Sequence, residues 1–438
     1  MSRQRIAGRT TAACVAAVLL VLLVATGCGN SSSSSATSSP GGSGTITLWH
    51  GYTDIERAGV EHEVAAYDAT NPAWKVNAVF SGNNDYVLQK LLTSLAAGKA
   101  PDITYQYGSS MANLVRSPKL VDLTPYINRT PSYNWNDFFP AVRLAATVNG
   151  KVMGVPALVD NLALVYNKKL FDQAGVAYPT AQWTWADFQA AAKKLTNPAT
   201  KQFGWAYVND GSEDTVWRFL ALLWQAGGDL LTPDNTKAAF NSPAGLKAMT
   251  LLSDMSNRDH SIYLDSGNGN YLNLFNANKI AMLWTGPWDI SSINSNISFG
   301  VQILPADVSH ATIAGPDNWV LINNGTDRVN GAWQFMNWFL SPQEHLKFCI
   351  ATGDLPLRQS ETKLPDYQSV FLKKYPADAV FVANLANVSK ARPNIPTYPK
   401  VSSDLGQAVQ AVLLGKLTPQ QALTQAEQQV NADIAAGQ

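Results

Sequence analysis

The stretch SGNNDYVLQKLLTSLAAGKAPDITYQY, Ser81 to Tyr107, decides the architecture. Leu88, Leu91, Leu92 and Leu95 recur at i, i+3, i+4 and i+7, which places them on one face of a helix. Gly98 follows as a C′ residue, where a left-handed turn costs glycine nothing. PDITYQY then starts a strand at once. Upstream, TITLWH (45–50) alternates Ile46 and Leu48 with Thr45, Thr47 and Trp49, the period of a strand. A helix is expected from Asp54 to Ala69, stopped by Asn71-Pro72, and WKVNAVF is a second strand. Strand–helix–strand–helix–strand with short links requires parallel strands covered by helices, so the chain is of the α/β class.

Two further runs carry extended apolar character. KVMGVPALVDNLALVYNKKLF (151–171) encloses one carboxylate, Asp160, and FGVQILP ends at Pro305. Such strands are suited to crossing between two lobes. Helix starts are well marked elsewhere: Thr184 with Asp187, Ser341-Pro342-Gln343-Glu344, and Thr418-Pro419-Gln420-Gln421. In the last helix Leu423, Ala426, Val430 and Ile434 share a face.

The chain has 438 residues, 46% of them apolar, enough for two or three domains. Lys plus Arg and Asp plus Glu both number 32, so the formal charge is zero. Phosphate-backbone binding needs a basic excess, and nucleic acid is therefore not an expected partner. Arg3, Arg5 and Arg9 precede an apolar run from Ala12 to Ala25, too short to span a bilayer. Residues 1–27 read as a signal peptide. Its ending, ATGC, resembles a bacterial lipobox with Cys28 as the lipidated residue, although Ala25 stands where Leu is usual; an ordinary signal with a chance cysteine is the alternative. Residues 28–44 are rich in Ser and Gly and suit a flexible tether. Cys349 is then alone in the mature domain and reads as a small core residue.

Motifs for chemistry are scarce. The five histidines include no HExxH and no close ligand pair, so no metal or other cofactor is expected. No GxSxG elbow, phosphate loop or dinucleotide fingerprint occurs. What stands out is aromatic residues beside chain breakers: WTGPWD (284–289), GPDNWV (315–320), and Trp217 among polar neighbours. Aromatic faces stack on the C–H faces of sugars while carboxylates and amides bond the hydroxyls, and ligand sites combine such linings. Trp284 ends an apolar run and is expected in the core. Trp288 follows a Gly-Pro break and is expected to stand out on a stiff turn. Trp49, Trp333 and Trp338 read as core.

Taken together, YVLQKLLTSLAAGKAPDI, GVPALVDNLALVYNKKLF, WQAGGDLL, KIAMLWTGPWDI, GDLPLR and RPNIPTYP resemble the sugar-binding proteins of bacterial ABC transporters, the group that includes maltose-binding protein. The resemblance spans nearly all of 45–438. It implies two α/β lobes with ligand in a hinged cleft, an N-lobe of 45–154 and 306–350, and a C-lobe of 159–302 and 354–438. It implies a monomer that is no enzyme, lipid-anchored outside the membrane, handing a sugar to an ABC permease. It also implies ligand-binding residues: Trp288 and Trp217 as stacking platforms, Asp160 as an acidic sugar ligand, and Gln106 and Tyr107 after the PDI strand. His50 and Gly51 end the first strand, and Asn83, Asn84 and Asp85 open the next helix, at positions that line the cleft in similar proteins. Asp317, Asn318 and Trp319 are candidates from GPDNW, and Arg358 from LPLR. Two departures put maltose in doubt: Ser402 replaces an aromatic, and Ser109-Ser110 replaces an Asp-Arg pair. Two alternatives stay open: a glycerol-phosphodiester or other polar solute on the same fold, and a secreted carbohydrate-active enzyme using Asp160 and Asp317.

Overall fold

The computed structural model describes residues 42–52, 54–82, 84–267 and 269–437, without the side chains of Asp54, Asn84 and Asp85. The signal segment, Cys28 and Asn83 lie outside the described residues. Twelve strands occur among those described. They are β1 (Gly44–His50), β2 (Trp74–Phe80), β3 (Ile103–Tyr107), β4 (Thr147–Val148), β5 (Lys151–Val152), β6 (Val155–Leu158), β7 (Ala163–Asn167), β8 (Phe203–Val208), β9 (Ile262–Asp265), β10 (Ile280–Thr285), β11 (Phe299–Gln302) and β12 (Asp317–Leu321). No described helix is long and apolar enough to cross a membrane.

Ten of the strands form two five-stranded sheets, ordered β2-β1-β3-β12-β6 and β11-β7-β10-β8-β9. The opening strand–helix units behave as their pattern requires. β1 lies parallel to both β2 and β3, with helices Asp54–Ala69 and Asn84–Ala96 in the connections. Gly98 sits at φ +66° and closes the second helix, its N–H donating to the Leu95 carbonyl at 3.2 Å. Thr184 and Asp187 form a reciprocal cap, and Thr418 and Gln421 do the same for the last helix. The face Leu423, Ala426, Val430 and Ile434 is buried.

Each sheet has its own apolar core. The long run 151–171 is not one strand. It breaks into β5, β6 in the first sheet and β7 in the second, so the chain changes sheets at 159–162. It returns between β11 and β12, at 303–316. The two crossings pair with each other: Leu162 N–H donates to the Ile313 carbonyl at 3.3 Å, and the Thr312 hydroxyl to the Leu162 carbonyl at 2.8 Å. Asn384 clamps them from a third segment, donating to Asn161 Oδ1 and the Leu162 carbonyl at 2.9 Å each. The expected lobe limits shift accordingly. β6 belongs to the first sheet, and Leu355, Leu357, Phe381, Leu385 and Val388 pack in the first core rather than the second. Their apolar side chains follow the helix at Pro342–Thr352, whose Phe348 is in the same core.

Candidate functional site

A cleft of about 770 Å³ opens where the crossings meet the strand ends, with an arm of about 190 Å³ beneath it. Its aromatic wall comes from WTGPWD. Trp284 lies in β10 and is buried, as expected of the end of an apolar run. Pro287 opens a short helix, Pro287–Ile290, so Trp288 rides a helical turn rather than a loop. Gly286 is needed there, because a Cβ on it would lie 1.9 Å from the Trp288 ring. Asp289 fixes the turn by accepting from the Tyr271 hydroxyl at 2.8 Å. Trp288 is 38% exposed and faces Trp217, the ring centres 5.6 Å apart at 50°. Trp217 projects from the helix Glu213–Gln225 and is 7% exposed, and its Nε1–H has no hydrogen-bond acceptor among the described residues.

The floor is acidic. Asp160 lies on the first crossing and accepts the Gly315 N–H of the second at 2.8 Å. Asp317 opens β12 opposite Tyr107 and accepts the Gly108 N–H at 3.2 Å and the Tyr105 hydroxyl. Burial raises the Asp160 carboxyl to about 8, with neighbouring Asp317 adding to the effect. Burial likewise lifts Asp317 to about 6, against its hydrogen bonds and the pull of Arg392. Asp354, in the deeper arm with Glu56, is lifted by burial to about 6.

Arg392 is the one basic residue among the described residues that line the cleft. It pairs with Glu213 at 2.9 Å, and Glu213 also accepts from the Tyr398 hydroxyl at 2.8 Å and from Ser402. Little in the chain's local pattern signals this group. Glu213 looks like an ordinary first-turn carboxylate, and its partners lie about 180 residues away in the chain. RPNIPTYP, with Arg392 and Tyr398, was visible only as part of the resemblance.

The cleft gathers Trp288, Trp217, Asp160, Asp317 and Tyr107 of the expected residues. The other expected residues whose side chains are described sit elsewhere, for physical reasons. Only the end pair of the β3–β12 ladder reaches the cleft. One step in, Asn318 is buried and donates to the Ala145 carbonyl at 3.4 Å, while Gln106 opposite it donates to Thr104 Oγ1 at 3.1 Å. Trp319 is 0% exposed, packed against Tyr52, Tyr105 and Phe339 in the first core. His50 and Gly51 are buried off the cleft, and burial depresses the His50 imidazole to about 4. Arg358 is an interior strut: it donates to the Leu340 and Tyr133 carbonyls at 2.7 Å each and lies 3.8 Å over the Phe138 ring. The backbone of Asn84 and Asp85 opens a helix, but their side chains, like Asn83, lie outside the description.

Away from the cleft, His345, Cys349 and Glu361 converge in the interior with ligand atoms within 4.8 Å of one another. A 2.8 Å contact between His345 Nδ1 and Glu361 Oε2, and the Arg358 N–H donating to Glu361 Oε1 at 3.0 Å, account for that cluster as packing.

Known proteins share this fold. The chain is similar to the cyclic α-maltosyl-1,6-maltose binding protein of Arthrobacter globiformis, with 27% identity and a TM-score of 0.79 over 90% of this chain and all of that one. It is similar also to an ABC substrate-binding protein of Listeria monocytogenes solved with cycloalternan, at 27% identity and TM-score 0.78 over 89% of this chain and 99% of that one. The sn-glycerol-3-phosphate-binding periplasmic protein UgpB of Escherichia coli is 23% identical over 88% of this chain and 92% of its own length. Residues 53–345 match the model of a single family, and with it the two sheets, the crossings and the cleft find their place: the chain belongs to the bacterial extracellular solute-binding proteins.

Proposed function

We propose that this solute-binding protein of ABC importers takes a saccharide in the cleft between its two sheets and delivers it to a membrane permease. The observation that carries the reading is the Trp288–Trp217 wall facing the carboxylates of Asp160 and Asp317. Two indole faces offer C–H stacking, and the one or two hydrogen bonds that Asp160 and Asp317 accept from the protein leave lone pairs for hydroxyl donors. The relatives of A. globiformis and L. monocytogenes, with a cyclic maltosyl-maltose and cycloalternan, support the class.

A phosphodiester fits the same cleft poorly. Its charge would meet the Asp317 carboxylate beside the desolvated Asp160, while Asp214 is paired with Arg218 and Arg392 is already engaged by Glu213. Like charges brought together without a free cation oppose binding. Closure about the crossings at 159–162 and 303–316 would bring the two sheets onto the ligand and present the closed form to the permease. We further propose binding without turnover, and a lipid on Cys28 that keeps the domain at the outer membrane face. Loss of the protein from the membrane fraction on Cys28→Ala checks the anchor; an unchanged membrane fraction speaks against it.

A thermal-stability screen at pH 7 tests the ligand class. Neutral oligosaccharides of two to six rings are run against sn-glycerol 3-phosphate and glycerophosphocholine. At least one saccharide is expected to raise the melting temperature and to be recovered uncleaved, with no shift from the phosphates. Stabilisation by a phosphate alone would replace the saccharide reading with the phosphodiester one.

A further inference from the structure

We infer that the cleft selects a saccharide bearing a basic nitrogen, whose ammonium group sits against Asp160 and Asp317. The inference rests on the saccharide reading and narrows it.

Charge is the first ground. Glu213 is held by Arg392, and Asp214 is held by Arg218, whose side chain is 3% exposed. Asp160, Asp317 and Asp354 take part in no ion pair among the described residues, yet all three line the cleft or its arm. Asp354 Oδ2 is buried and has no hydrogen-bond partner among the described residues. Desolvated carboxylates that lie near one another must take up protons or a cation. An ammonium group supplies three donors and the missing charge together, and hydrogen bonds between ions are about twice as strong as neutral ones.

The aromatic wall is the second ground. Indole faces attract cations as well as stacking on sugar rings, so the Trp288–Trp217 pair suits both halves of an amino sugar. Trp217 lines the cleft and its buried Nε1–H has no partner among the described residues, so a ligand that reached it would need an acceptor there. A hydroxyl or ring oxygen provides it, and a bare alkylammonium does not. The ligand chemistry that meets every group is therefore an amine on a sugar.

The competing account keeps Asp160 protonated, donating a hydrogen bond to a neutral sugar. Its raised carboxyl, near 8 without ligand, permits that. The two accounts part on proton flow and on one variant. An ammonium ligand would drive Asp160 to its anion and release a proton, whereas a neutral ligand would not. Asparagine mimics the protonated acid, so Asp160→Asn preserves the donor but not the charge.

The test uses two probes that differ at one atom per ring, the β-1,4-linked glucosamine trimer and cellotriose. Both are titrated calorimetrically into the protein at pH 6, where the glucosamine amines already carry their protons and Asp160 still holds its own, in two buffers of different ionisation enthalpy. The glucosamine trimer is expected to bind about tenfold tighter or more, the scale of one charge-assisted hydrogen bond. Its heat should report net proton release, and Asp160→Asn should bring the affinity ratio toward one. That variant's melting temperature at pH 6 confirms that it is folded. Equal or weaker binding of the glucosamine trimer overturns the inference, as does an Asp160→Asn protein that keeps the full preference. If neither trimer binds while a neutral saccharide in the screen does, the amine inference falls and the saccharide reading stands. If no saccharide binds, both fall.

Discussion

Alanine at Arg358 is expected to lower the unfolding free energy by about 3–5 kcal/mol, the usual cost of breaking a buried charged network. The guanidinium is 2% exposed and donates to the Leu340 and Tyr133 carbonyls at 2.7 Å each and to the Asn134 carbonyl at 3.3 Å. It also lies over the Phe138 and Tyr133 rings and 3.8 Å from Asp137. Truncation removes the side-chain donor from the Leu340 and Tyr133 carbonyls in the interior, while the Asn134 carbonyl keeps the Asp137 N–H at 3.0 Å, and it opens a cavity beside Phe138. Because Arg358 does not line the cleft, saccharide affinity should stay within about twofold, as for independent sites. Denaturant unfolding and calorimetry together check both halves. Unchanged stability with weakened binding would return Arg358 to the ligand.

Alanine at Trp288 should do the reverse. Removing one stacked face is expected to weaken saccharide binding by about 1–3 kcal/mol, roughly 5- to 150-fold, on the scale known for base–aromatic stacking. The indole is 38% exposed, so its loss should cost stability less than about 1 kcal/mol, well under a core truncation. Calorimetric titration with the best saccharide of the screen reads the first effect and denaturant unfolding the second. A large stability loss with unchanged affinity would make Trp288 a packing residue for Trp217.

These two variants also mark how far the sequence could be read. Periodicity placed the opening strands and helices, because β1 to β3 are local units whose core faces show as Ile46, Leu48 and Leu91. The sheet order was not legible. β12 slots between β3 and β6 although it follows them by some 160–210 residues, and no local pattern encodes such pairing. The same limit governs the site. Trp288 was legible because Gly286 and Pro287 interrupt an apolar strand just before it. The same cue misled at Trp319, since Gly315 and Pro316 end the second crossing and the strand starts at Asp317, leaving Trp319 two residues deep in the core. Arg358 stood evenly between sugar ligand and structural bridge, because an arginine in a loop motif looks available and only three-dimensional packing reveals the carbonyls that claim it. Glu213, Arg392 and Ser402 converge from distant segments, and their pairing is a product of the fold.

The most direct measurement of the central claim is a crystal structure of the protein with the best-binding saccharide. The account predicts a sugar ring stacked on the exposed face of Trp288, an oxygen of the ligand accepting from Trp217 Nε1–H, and donors of the ligand on Asp160 and Asp317. A saccharide bound away from the Trp288–Trp217 wall, or one in the cleft that leaves both carboxylates untouched, would contradict it.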